Sequence, residues 1–432
     1  MKIAVVGGGV AGLTAAWLLR KDHDVCLYEK DSVVGGHAHT EHLSFRDREF
    51  PVDTAFIQFC TERYPTFSRL LDYLRVPSHS VPTSFSCHIE GRDVQYVYGP
   101  QRTRFLARLS DWRQPAFRRT MWETVRFFRN ARELLDHGNG AGNHAHGLTV
   151  GAYLEREGYS REFAFNLLLP MAAALWSLPL QACAELDAAA FVGAVSDAGY
   201  LSFWRRQHWQ TVSGGSHQYV SRLAASLDGR IRTGTEVCRV VRHQDRVVIR
   251  DSRGGEDTFD HVIMASHADQ TLRVLGDASD SERRILGGFR YFANTLYLHH
   301  DLTLMPQSLS RWATWNYFAR DDNTDANRPV SHTYWMNRLQ GLDENFPTFV
   351  SLNPFRPPAD DLVERIFHYH HPTLDAATVS GQRSLPQIQG VNRTWFCGAA
   401  YYRWGSHEDA LCTGLQVARA FGADLPWARR DA

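Results

Sequence analysis

Residues 2–29 read KIAVVGGGVAGLTAAWLLRKDHDVCLYE, and this stretch decides the fold. It opens with a short apolar run rich in β-branched residues, which is typical of a strand buried on both faces. Gly7, Gly9 and Gly12 then form a GxGxxG turn in front of an apolar helix, and a second strand ends at Glu29. Strand, glycine turn, helix, strand and acid in this order predict a βαβ unit that binds a dinucleotide.

Each glycine has its own physical role in such a unit. The first permits the tight turn, Gly9 lets the backbone approach a pyrophosphate, and Gly12 lets the helix pack closely on the strand. The N–H groups at the helix N-terminus, around Val10 and Ala11, face the phosphates. Glu29 would accept hydrogen bonds from the adenosine ribose. Its charge disfavours NADP, because it would repel a 2′-phosphate.

The following segment favours FAD over NAD. Gly35 and Gly36 form a pair, with Gly36 seven positions after Glu29. Such a pair resembles the extended fingerprint of flavoproteins of the amine-oxidase superfamily, in which it lies along the FAD pyrophosphate. Arginine usually follows the pair, whereas His37 stands here. Residues 50–56, FPVDTAF, resemble the next flavin-side segment of the superfamily, and a plain glycine turn is the alternative interpretation of the pair.

Three later segments resemble returns of the chain to the cofactor domain. Residues 230–241 resemble the strand whose valine backbone meets the adenine, which places Val237 there. Residues 260–265 form another apolar strand. Residues 394–399 form a strand that runs into a loop, and GSHEDALCTG at 405–414 leads into a final helix. The N-terminus of such a helix can aim N–H groups at the flavin and neutralise its reduced form.

The resemblance extends over nearly the whole chain, to a family of predicted NAD/FAD-binding proteins related to flavin-containing amine oxidases and carotenoid or phytoene desaturases. The segments that carry it are WQTVSGGS (209–216), WATWNY (312–317), TYWMNRL (333–339), YHHP (369–372), IQG (388–390) and HED (407–409). The resemblance implies an α/β fold, with a Rossmann-type FAD-binding domain like that of p-hydroxybenzoate hydroxylase woven with a mixed α+β substrate domain. Relatives lie beside, or are fused to, cyclopropane-fatty-acid synthases, which implies a fatty-acyl substrate and a lipid methyltransferase partner for some members.

On this resemblance, residues 1–75, 205–275 and 385–432 form the FAD-binding domain, and residues 76–204 and 276–384 form the substrate domain. FAD is expected to be held non-covalently. The expected cofactor-binding residues are Gly7, Gly9, Val10, Ala11, Gly12, Glu29, Lys30, Gly35, Gly36, His37, Ala38, Thr54, Ala55, Phe56, Val237, Gly398, Asp409, Ala410 and Leu411.

The chain departs from the family pattern near the expected substrate site. The loop that reads GFHEDG in relatives reads GSHEDA here, and the bulky residues 401–404, YYRW, stand in front of it. His217 replaces an arginine, and residues 184–200 lack the aromatic pair and the Asn-His-Gly of relatives. The cofactor assignment therefore transfers from the family better than the substrate assignment does.

The candidate catalytic residues are Tyr401, Tyr402, Arg403 and His407. The aromatic side chains, with Trp404, could wall the flavin, and the arginine could hold a carboxylate or phosphate. The alternative is that these side chains pack under the loop. Likewise, the acid–base groups of His407, Glu408 and Asp409 could instead cap the helix and order the loop.

Lysine content separates the candidate reactions. Amine oxidases of the superfamily typically place a lysine beside flavin N5 through a water molecule, but the last lysine of this chain is Lys30. Flavin N5 takes a hydride from carbon, so the sequence favours desaturation or isomerisation of an apolar, acyl-lipid or isoprenoid-like substrate. Two alternatives stay open: an amine or amino-acid oxidase in a biosynthetic pathway, and a non-catalytic flavin-binding partner of a lipid methyltransferase.

Composition limits the possible partners and the possible location of the protein. The 47 basic residues balance 47 acidic ones, so nothing favours nucleic acid as a partner. Seven scattered cysteines, without a CxxC, predict a reducing, cytoplasmic location and buried thiols. The most apolar stretch, residues 163–180, is interrupted by prolines and polar residues. We therefore expect a buried helix there and no spanning or targeting segment, with peripheral membrane contact left open.

Two groups of histidines could be taken for metal sites. Residues 136–147 hold three histidines in a Gly- and Asn-rich loop without helix or strand spacing. His368, His370 and His371 stand beside a proline and match the family as structural or flavin-adjacent residues. We therefore predict no metal site.

Overall fold

The computed structural model describes residues 1–89, 95–98, 111–136, 147–197, 208–319 and 330–427. The three histidines of the 136–147 loop lie outside the described residues, as does the end of the 184–200 segment.

Strands β1 to β20 span, in chain order, Lys2–Val6, Asp24–Tyr28, Thr40–Phe45, Arg48–Asp53, Phe59–Cys60, Ser78–Ser80, Phe85–Ile89, Gln95–Tyr98, Trp209–Val212, Ile231–Arg232, Val237–Arg242, Val247–Asp251, Glu256–Phe259, His261–Met264, Tyr291–His299, Trp315–Ala319, Val330–Trp335, Phe349–Leu352, Val363–Pro372 and Thr394–Phe396. Helices α1 to α14 span Val10–Leu19, Pro65–Leu74, Pro115–Asp136, Val150–Arg156, Arg161–Phe163, Leu169–Trp176, Leu180–Ala184, Ala188–Asp197, His217–Ala225, Ala268–Val274, Asp280–Leu286, Met336–Gln340, Ala376–Ser384 and His407–Ala420.

Five strands form the parallel sheet that the amino-terminal motif predicts, in the order β10-β2-β1-β14-β20. Val5 lies between Leu27 of β2 and Ile263 of β14, and all three side chains are fully buried. The expected α/β fold is confirmed. Because parallel strands end at one edge, the turns after β1, β2, β14 and β20 meet at the edge where such sheets bind their ligands.

Residues 230–241 do not form the single strand that the sequence predicts. β10 pairs with β2, whereas β11 begins at Val237 and pairs with β12 in a separate antiparallel sheet, β11-β12-β13. The chain turns between them at Gly234, whose φ of +58° suits glycine and whose N–H donates to the carbonyl of Asp31 over 2.7 Å. The turn therefore ties this segment to the end of β2.

A second sheet has seven strands in the order β19-β15-β18-β17-β16-β7-β8. Its neighbouring pairs are antiparallel except for β7 and β16, which run parallel. β7 and β16 share one apolar core with helices α3 to α8. All seven strands fall within the residues expected to form the substrate domain, although the domain boundaries themselves stay a prediction.

Helices α1 and α14 pack closely together at a glycine. Helix α1 is buried along its whole length, and α14 packs against it at Gly414. A β-carbon on Gly414 would lie 2.4 Å from the carbonyl oxygen of Ala11, so only glycine permits this approach. The contact places α14 against the first turn of α1.

The apolar stretch and the cysteines largely follow expectation. Residues 163–180 form buried helical turns through a π-helical segment, Ala164–Leu168, into α6. Across the described ranges, no helix is both long and apolar enough to cross a membrane. All seven cysteines are free; Cys60, Cys87, Cys183 and Cys397 are buried as expected, whereas Cys26 and Cys412 are half-buried and Cys238 is exposed. Cys238 follows the buried Val237 in β11, and successive side chains of a strand point to opposite faces.

Candidate cofactor and substrate site

The first glycine turn leaves space at one position only. A β-carbon on Gly7 would lie 2.8 Å from the carbonyl oxygen of Ala265, and one on Gly12 would lie 2.0 Å from that of Gly7. A β-carbon on Gly9 would meet no atom of the described residues within 4 Å. Gly9 is also the N-cap of α1 and provides no side-chain cap for its N–H groups. Uncapped N–H groups beside an open glycine fit a pyrophosphate.

The second glycine pair lies directly against the first turn. Gly35 donates its N–H to the carbonyl of Gly8 over 2.8 Å, and a β-carbon on Gly36 would lie 3.3 Å from the α-carbon of Gly9. Both glycines have positive φ, +128° and +58°, which side chains rarely adopt. Ala38 closes the turn by donating its N–H to Gly35. Gly35 and Gly36, which are expected along the pyrophosphate, therefore lie against Gly9, the glycine that is expected to approach the same pyrophosphate.

Glu29 lies at the end of β2 and is 8% exposed. Its carboxylate accepts the N–H of Gly8 over 2.7 Å and that of Asp31 over 2.9 Å. Burial raises its pKa, and these two donors oppose the rise. Besides its expected role toward a ribose, Glu29 therefore holds the glycine turn in shape. Lys30, next to it, is exposed, while Val237 at the start of β11 is buried.

Replacing Glu29 by alanine should weaken flavin binding and leave the fold intact. Charge-assisted hydrogen bonds contribute about 1.5–3 kcal/mol, so affinity should fall about tenfold to a hundredfold. The flavin-to-protein absorbance ratio after identical purification measures the loss. Glu29→Gln is the matched control, because it keeps one acceptor for the backbone N–H groups and should lose less. Equal retention by Glu29→Ala and the parent would contradict the assignment.

Four histidines, His37, His267, His370 and His371, form an imidazole cluster at the same edge. The ring of His37 lies 5.3 Å from that of His371 and 6.3 Å from that of His267. The ring of His267 lies 6.4 Å from that of His370. His37 follows the second glycine pair, and His267 follows β14 two residues after Ala265, which contacts Gly7. The cluster therefore lies beside the glycine turns.

Three imidazoles of the cluster, those of His37, His267 and His371, are neutral around pH 7 because their pKa values are lowered. Burial lowers the pKa of His37 to about 4 and the pKa of His267 and His371 to about 3, with repulsion between the rings adding to the effect. His37 Nε2 is buried without a hydrogen-bond partner in the described part of the chain. Asn294 Nδ2 lies 2.9 Å from His371 Nδ1. Sequence reasoning missed His267, although its position directly after a strand of the parallel sheet was a usable signal.

The flavin-side segment connects the two sheets. Thr54 Oγ1 lies 2.8 Å from the hydroxyl of Tyr369 in β19, and Phe56 donates its N–H to the carbonyl of His37 over 3.1 Å. Ala55 lies between them and is half-buried. The ring of Phe56 stacks on His407 at 3.8 Å. Residues 54–56 thus lie beside the imidazole cluster, and their cofactor role stays a prediction.

The three residues of the His-Glu-Asp loop all have structural partners. His407 Nε2 lies 2.8 Å from the hydroxyl of Tyr219, and burial lowers the pKa of this imidazole to about 3. Glu408 accepts the N–H groups of Thr66 and Phe67, each over 2.8 Å, and so caps α2. The capping alternative describes this position better than an acid–base role does.

Asp409 caps its own helix. It forms a capping box with Ser406: the serine hydroxyl accepts the N–H of Asp409, and Asp409 accepts the N–H of Ser406 over 2.9 Å. Ala410 and Leu411 follow in the first turn of α14 and are buried. The helix N-terminus is therefore ordered by its own residues.

The residues in front of this loop differ in exposure. Tyr401 is 3% exposed and packs edge-on against Phe289 at 5.0 Å, so the packing alternative describes it. Tyr402 and Arg403 are exposed. Trp404 lies against α8, where a β-carbon on Gly193 would be 2.5 Å from its ring. Gly398, at φ +153°, begins the loop. The catalytic assignments of Tyr401, Tyr402, Arg403 and His407 stay predictions.

A buried carboxylate that sequence reasoning missed connects the cofactor side to the seven-stranded sheet. Asp53 is fully buried and accepts hydrogen bonds from the Thr40 hydroxyl (2.6 Å), the Ser216 N–H (2.8 Å) and Gln340 Nε2 (2.9 Å). Burial raises its pKa to about 6, although these donors oppose the rise. Its place within FPVDTAF was the only local signal.

The parallel sheet, the paired glycine turns and the attached mixed sheet together have the architecture of a flavoprotein. The model of the flavin-containing amine oxidoreductase family matches residues 10–277, so the chain belongs to that family. It is therefore a flavin-dependent oxidoreductase. No curated protein sequence gave a match.

Solved structures share the fold over the whole chain. A fatty acid isomerase from P. acnes is 16% identical with a TM-score of 0.63, covering 97% of this chain and 98% of that one. Putrescine oxidase is 13% identical with a TM-score of 0.69, covering 98% and 99%. Cyclohexylamine oxidase from Brevibacterium oxydans is 14% identical with a TM-score of 0.69, covering 97% and 98%. At these identities the likeness concerns the fold alone.

Proposed function

We propose that this enzyme holds FAD non-covalently and acts on an apolar, acyl-lipid or isoprenoid-like substrate, from one C–H bond of which the flavin would take a hydride. Desaturation would follow when a proton also leaves the adjacent carbon, and isomerisation would follow when the hydride returns to another carbon of the same chain. The flavin, when bound, supplies a ring that accepts hydride from carbon. The first glycine turn and the N-terminus of α1 would hold the pyrophosphate, Glu29 the ribose, and the N-terminus of α14 the flavin. Gly9, where a β-carbon meets no described atom within 4 Å, supports this placement.

Two cysteines near the site support non-covalent binding. Cys397 directly precedes the 398–404 loop, and Cys412 lies in α14. Burial raises the pKa of the Cys397 thiol to about 12 and that of Cys412 to about 11. Both thiols therefore stay protonated and unreactive.

One observation carries the choice of an apolar substrate: the polar loop residues are occupied by the fold. His407 bonds Tyr219, Glu408 caps α2, and Asp409 caps α14. No lysine follows Lys30. The side chains of Trp404 in the loop and of Trp176 beside it are aromatic. Trp176 donates its indole N–H to the carbonyl of Trp404 over 3.3 Å. Such a site can hold and orient a hydrocarbon.

Anaerobic reduction tests this proposal. The purified holoprotein is mixed with acyl lipids, isoprenoids and amines, and bleaching of the visible flavin band is followed. We expect an apolar lipid to reduce or perturb the flavin and Trp404→Ala to slow that reaction. Trp427→Ala is the matched control, because Trp427 packs on Trp17 away from the loop. Bleaching by amines alone would overturn the proposal.

Amine or amino-acid oxidation is the second candidate, and membership of the amine oxidoreductase family favours it. Tyr402 is 37% exposed and could contact an amine. Peroxide release with a panel of amines and amino acids measures this activity. A methyltransferase partner is proposed from the sequence resemblance alone, and co-purification from cells tests it.

The imidazole cluster should make flavin retention depend on pH. A phosphate beside neutral imidazoles raises their pKa, so binding takes up protons and should tighten as the pH falls from about 8 to about 6. The groups that face the cluster from its neighbours are Tyr369, Tyr291, Lys30 and Arg273. Flavin fluorescence released by dilution measures retention. His37→Gln should flatten the profile, whereas His243→Gln, at an exposed turn, should not.

His37, His267 and His371 should make the flavin-free protein less stable in acid. Their pKa values are lower in the folded chain than the ordinary 6.5. The unfolded chain therefore binds more protons below pH 6.5, and the free energy of unfolding should fall as the pH drops from 6.5 toward 4. For the preceding prediction, flavin retention that does not change with pH in the parent protein would contradict the proposal that the imidazole cluster faces a phosphate.

A further inference from the structure

Helix α3 carries two apolar faces, and only one of them is buried. Phe117, Phe127 and Ala131 lie in the core of the helical layer. On the opposite side, Trp122 is 60% exposed and Val125 is 56% exposed. An exposed tryptophan and valine on adjacent turns of one helix need a reason beyond folding.

Arginines line this exposed face. Arg118, Trp122, Val125 and Arg129 follow each other at spacings of four, three and four residues, so they form one line along the helix. Arg119, whose side chain is 61% exposed and whose Nε lies 3.4 Å from the carboxylate of Glu123, flanks the line. We call these five residues, together with Trp112, the α3 stripe.

The acidic residue of this helix segment faces inward. The carboxylate of Glu123 is 2% exposed, and it accepts the N–H of Ser160 over 3.0 Å as well as the serine hydroxyl. Within residues 115–131, the described side chains therefore present arginines but no carboxylate to solvent. An anionic partner complements such a surface.

Local contacts hold the aromatic residues of the stripe in place. The guanidinium of Arg126 lies 5.4 Å from the ring centre of Trp122 and 3.9 Å from that of Tyr159. Arg118 donates to the carbonyl of Trp112 over 3.1 Å, and Trp112, 36% exposed, packs edge-on against Phe117. The stripe is thus presented by ordered residues.

The stripe lies on the outside of the substrate half. Helix α3 packs against α8, and Gly193 of α8 lies against the ring of Trp404. Helix α8 is therefore in contact both with the helix that carries the stripe and with the loop beside the expected flavin.

We propose that the α3 stripe docks on a lipid bilayer that contains anionic lipid. Tryptophan prefers the boundary between hydrocarbon and headgroups, valine enters the apolar side, and arginines contact the anionic headgroups. An apolar substrate would reach the enzyme from the same bilayer. This route for the substrate rests on the proposed function, whereas the docking itself does not.

Vesicle sedimentation of the flavin-loaded, full-length protein tests the docking. We expect binding to vesicles of phosphatidylcholine mixed with phosphatidylglycerol, weaker binding to phosphatidylcholine alone, and release at high salt. Replacing Trp122 and Val125 together by glutamine should weaken binding about tenfold or more. The double variant Arg118→Glu, Arg129→Glu should abolish the preference for phosphatidylglycerol.

Control variants distinguish docking through the α3 stripe from nonspecific hydrophobic binding to vesicles. Leu309→Gln and Val391→Gln remove apolar side chains that are 64% and 47% exposed elsewhere, and they should bind vesicles like the parent. All variants should keep the parent's circular dichroism and flavin content. Equal sedimentation of the parent and the Trp122, Val125 double variant would overturn the proposal, as would binding to single-stranded RNA without binding to vesicles. Vesicle binding by a protein that no lipid reduces would leave the docking correct and the substrate proposal wrong.

Discussion

Gly9→Val should yield a folded protein that purifies without flavin. The backbone of Gly9 has φ −68° and ψ 175°, which any residue adopts, and the described part of the chain places no atom within 4 Å of a β-carbon there. The folded chain therefore tolerates the side chain. The valine would fill the space that a pyrophosphate needs in front of the N-terminus of α1. We expect flavin affinity to fall at least about a hundredfold, because several N–H contacts to the phosphates are lost together.

Gly12→Val is the matched comparison for this experiment. A β-carbon on Gly12 would lie 2.0 Å from the carbonyl oxygen of Gly7, so this substitution should prevent the βαβ unit from packing at all. Thermal unfolding and the flavin-to-protein absorbance ratio distinguish the two outcomes: folded without flavin for Gly9→Val, and unfolded or aggregated for Gly12→Val. Full flavin occupancy in Gly9→Val would reduce the motif to a structural turn and remove the basis of the functional assignment.

Asp53→Ala should cause the second large effect, a loss of about 3 kcal/mol in the free energy of unfolding. The change leaves two buried donors, from Ser216 and Gln340, and the half-buried Thr40 hydroxyl without an acceptor, and each buried unpaired group costs about 1–3 kcal/mol before relaxation. Urea denaturation of the flavin-free protein measures the loss. Because these donors come from three separate segments, we also expect weaker flavin retention.

The pH dependence of the free energy of unfolding tests whether the Asp53 carboxylate itself is responsible for this effect. The pKa of Asp53 is about 6 in the folded chain against an ordinary 3.8. The folded state therefore holds more protons between these values, and this group makes the free energy of unfolding fall as the pH rises from about 4 to about 6, by up to ~3 kcal/mol. Asp53→Ala and Asp53→Asn should both lack this contribution, but the asparagine keeps an acceptor and should lose less stability. A parent and variants with parallel pH profiles would exclude this role.

Much of the cofactor side follows from local sequence. The order of strand, glycine turn, helix and strand predicts the parallel sheet, because each signal concerns neighbouring residues. Gly35 and Gly36 were expected beside the pyrophosphate, and they lie against Gly9. By contrast, Gly234 interrupts residues 230–241, since a hydrogen bond to Asp31 turns the chain there.

The candidate catalytic residues show the limit of local patterns. An acid–base triplet and an arrangement of helix caps have the same sequence, and only the partners distinguish them. Glu408 caps α2, some 340 residues earlier in the chain. The environment of Tyr401 likewise depends on Phe289, which approaches from a different segment.

By itself the sequence determined the fold class, the glycine turns, the absence of lysine after Lys30 and the family resemblance, because these rest on spacing and residue type. Only the tertiary structure decided which polar groups are free to act. It brought His267 and His371 to His37, placed Asp53 among donors from three segments, and put Trp122 and Val125 on the outer face of α3. The physical reason is that burial, pairing and pKa depend on atoms that are close in space but distant along the chain.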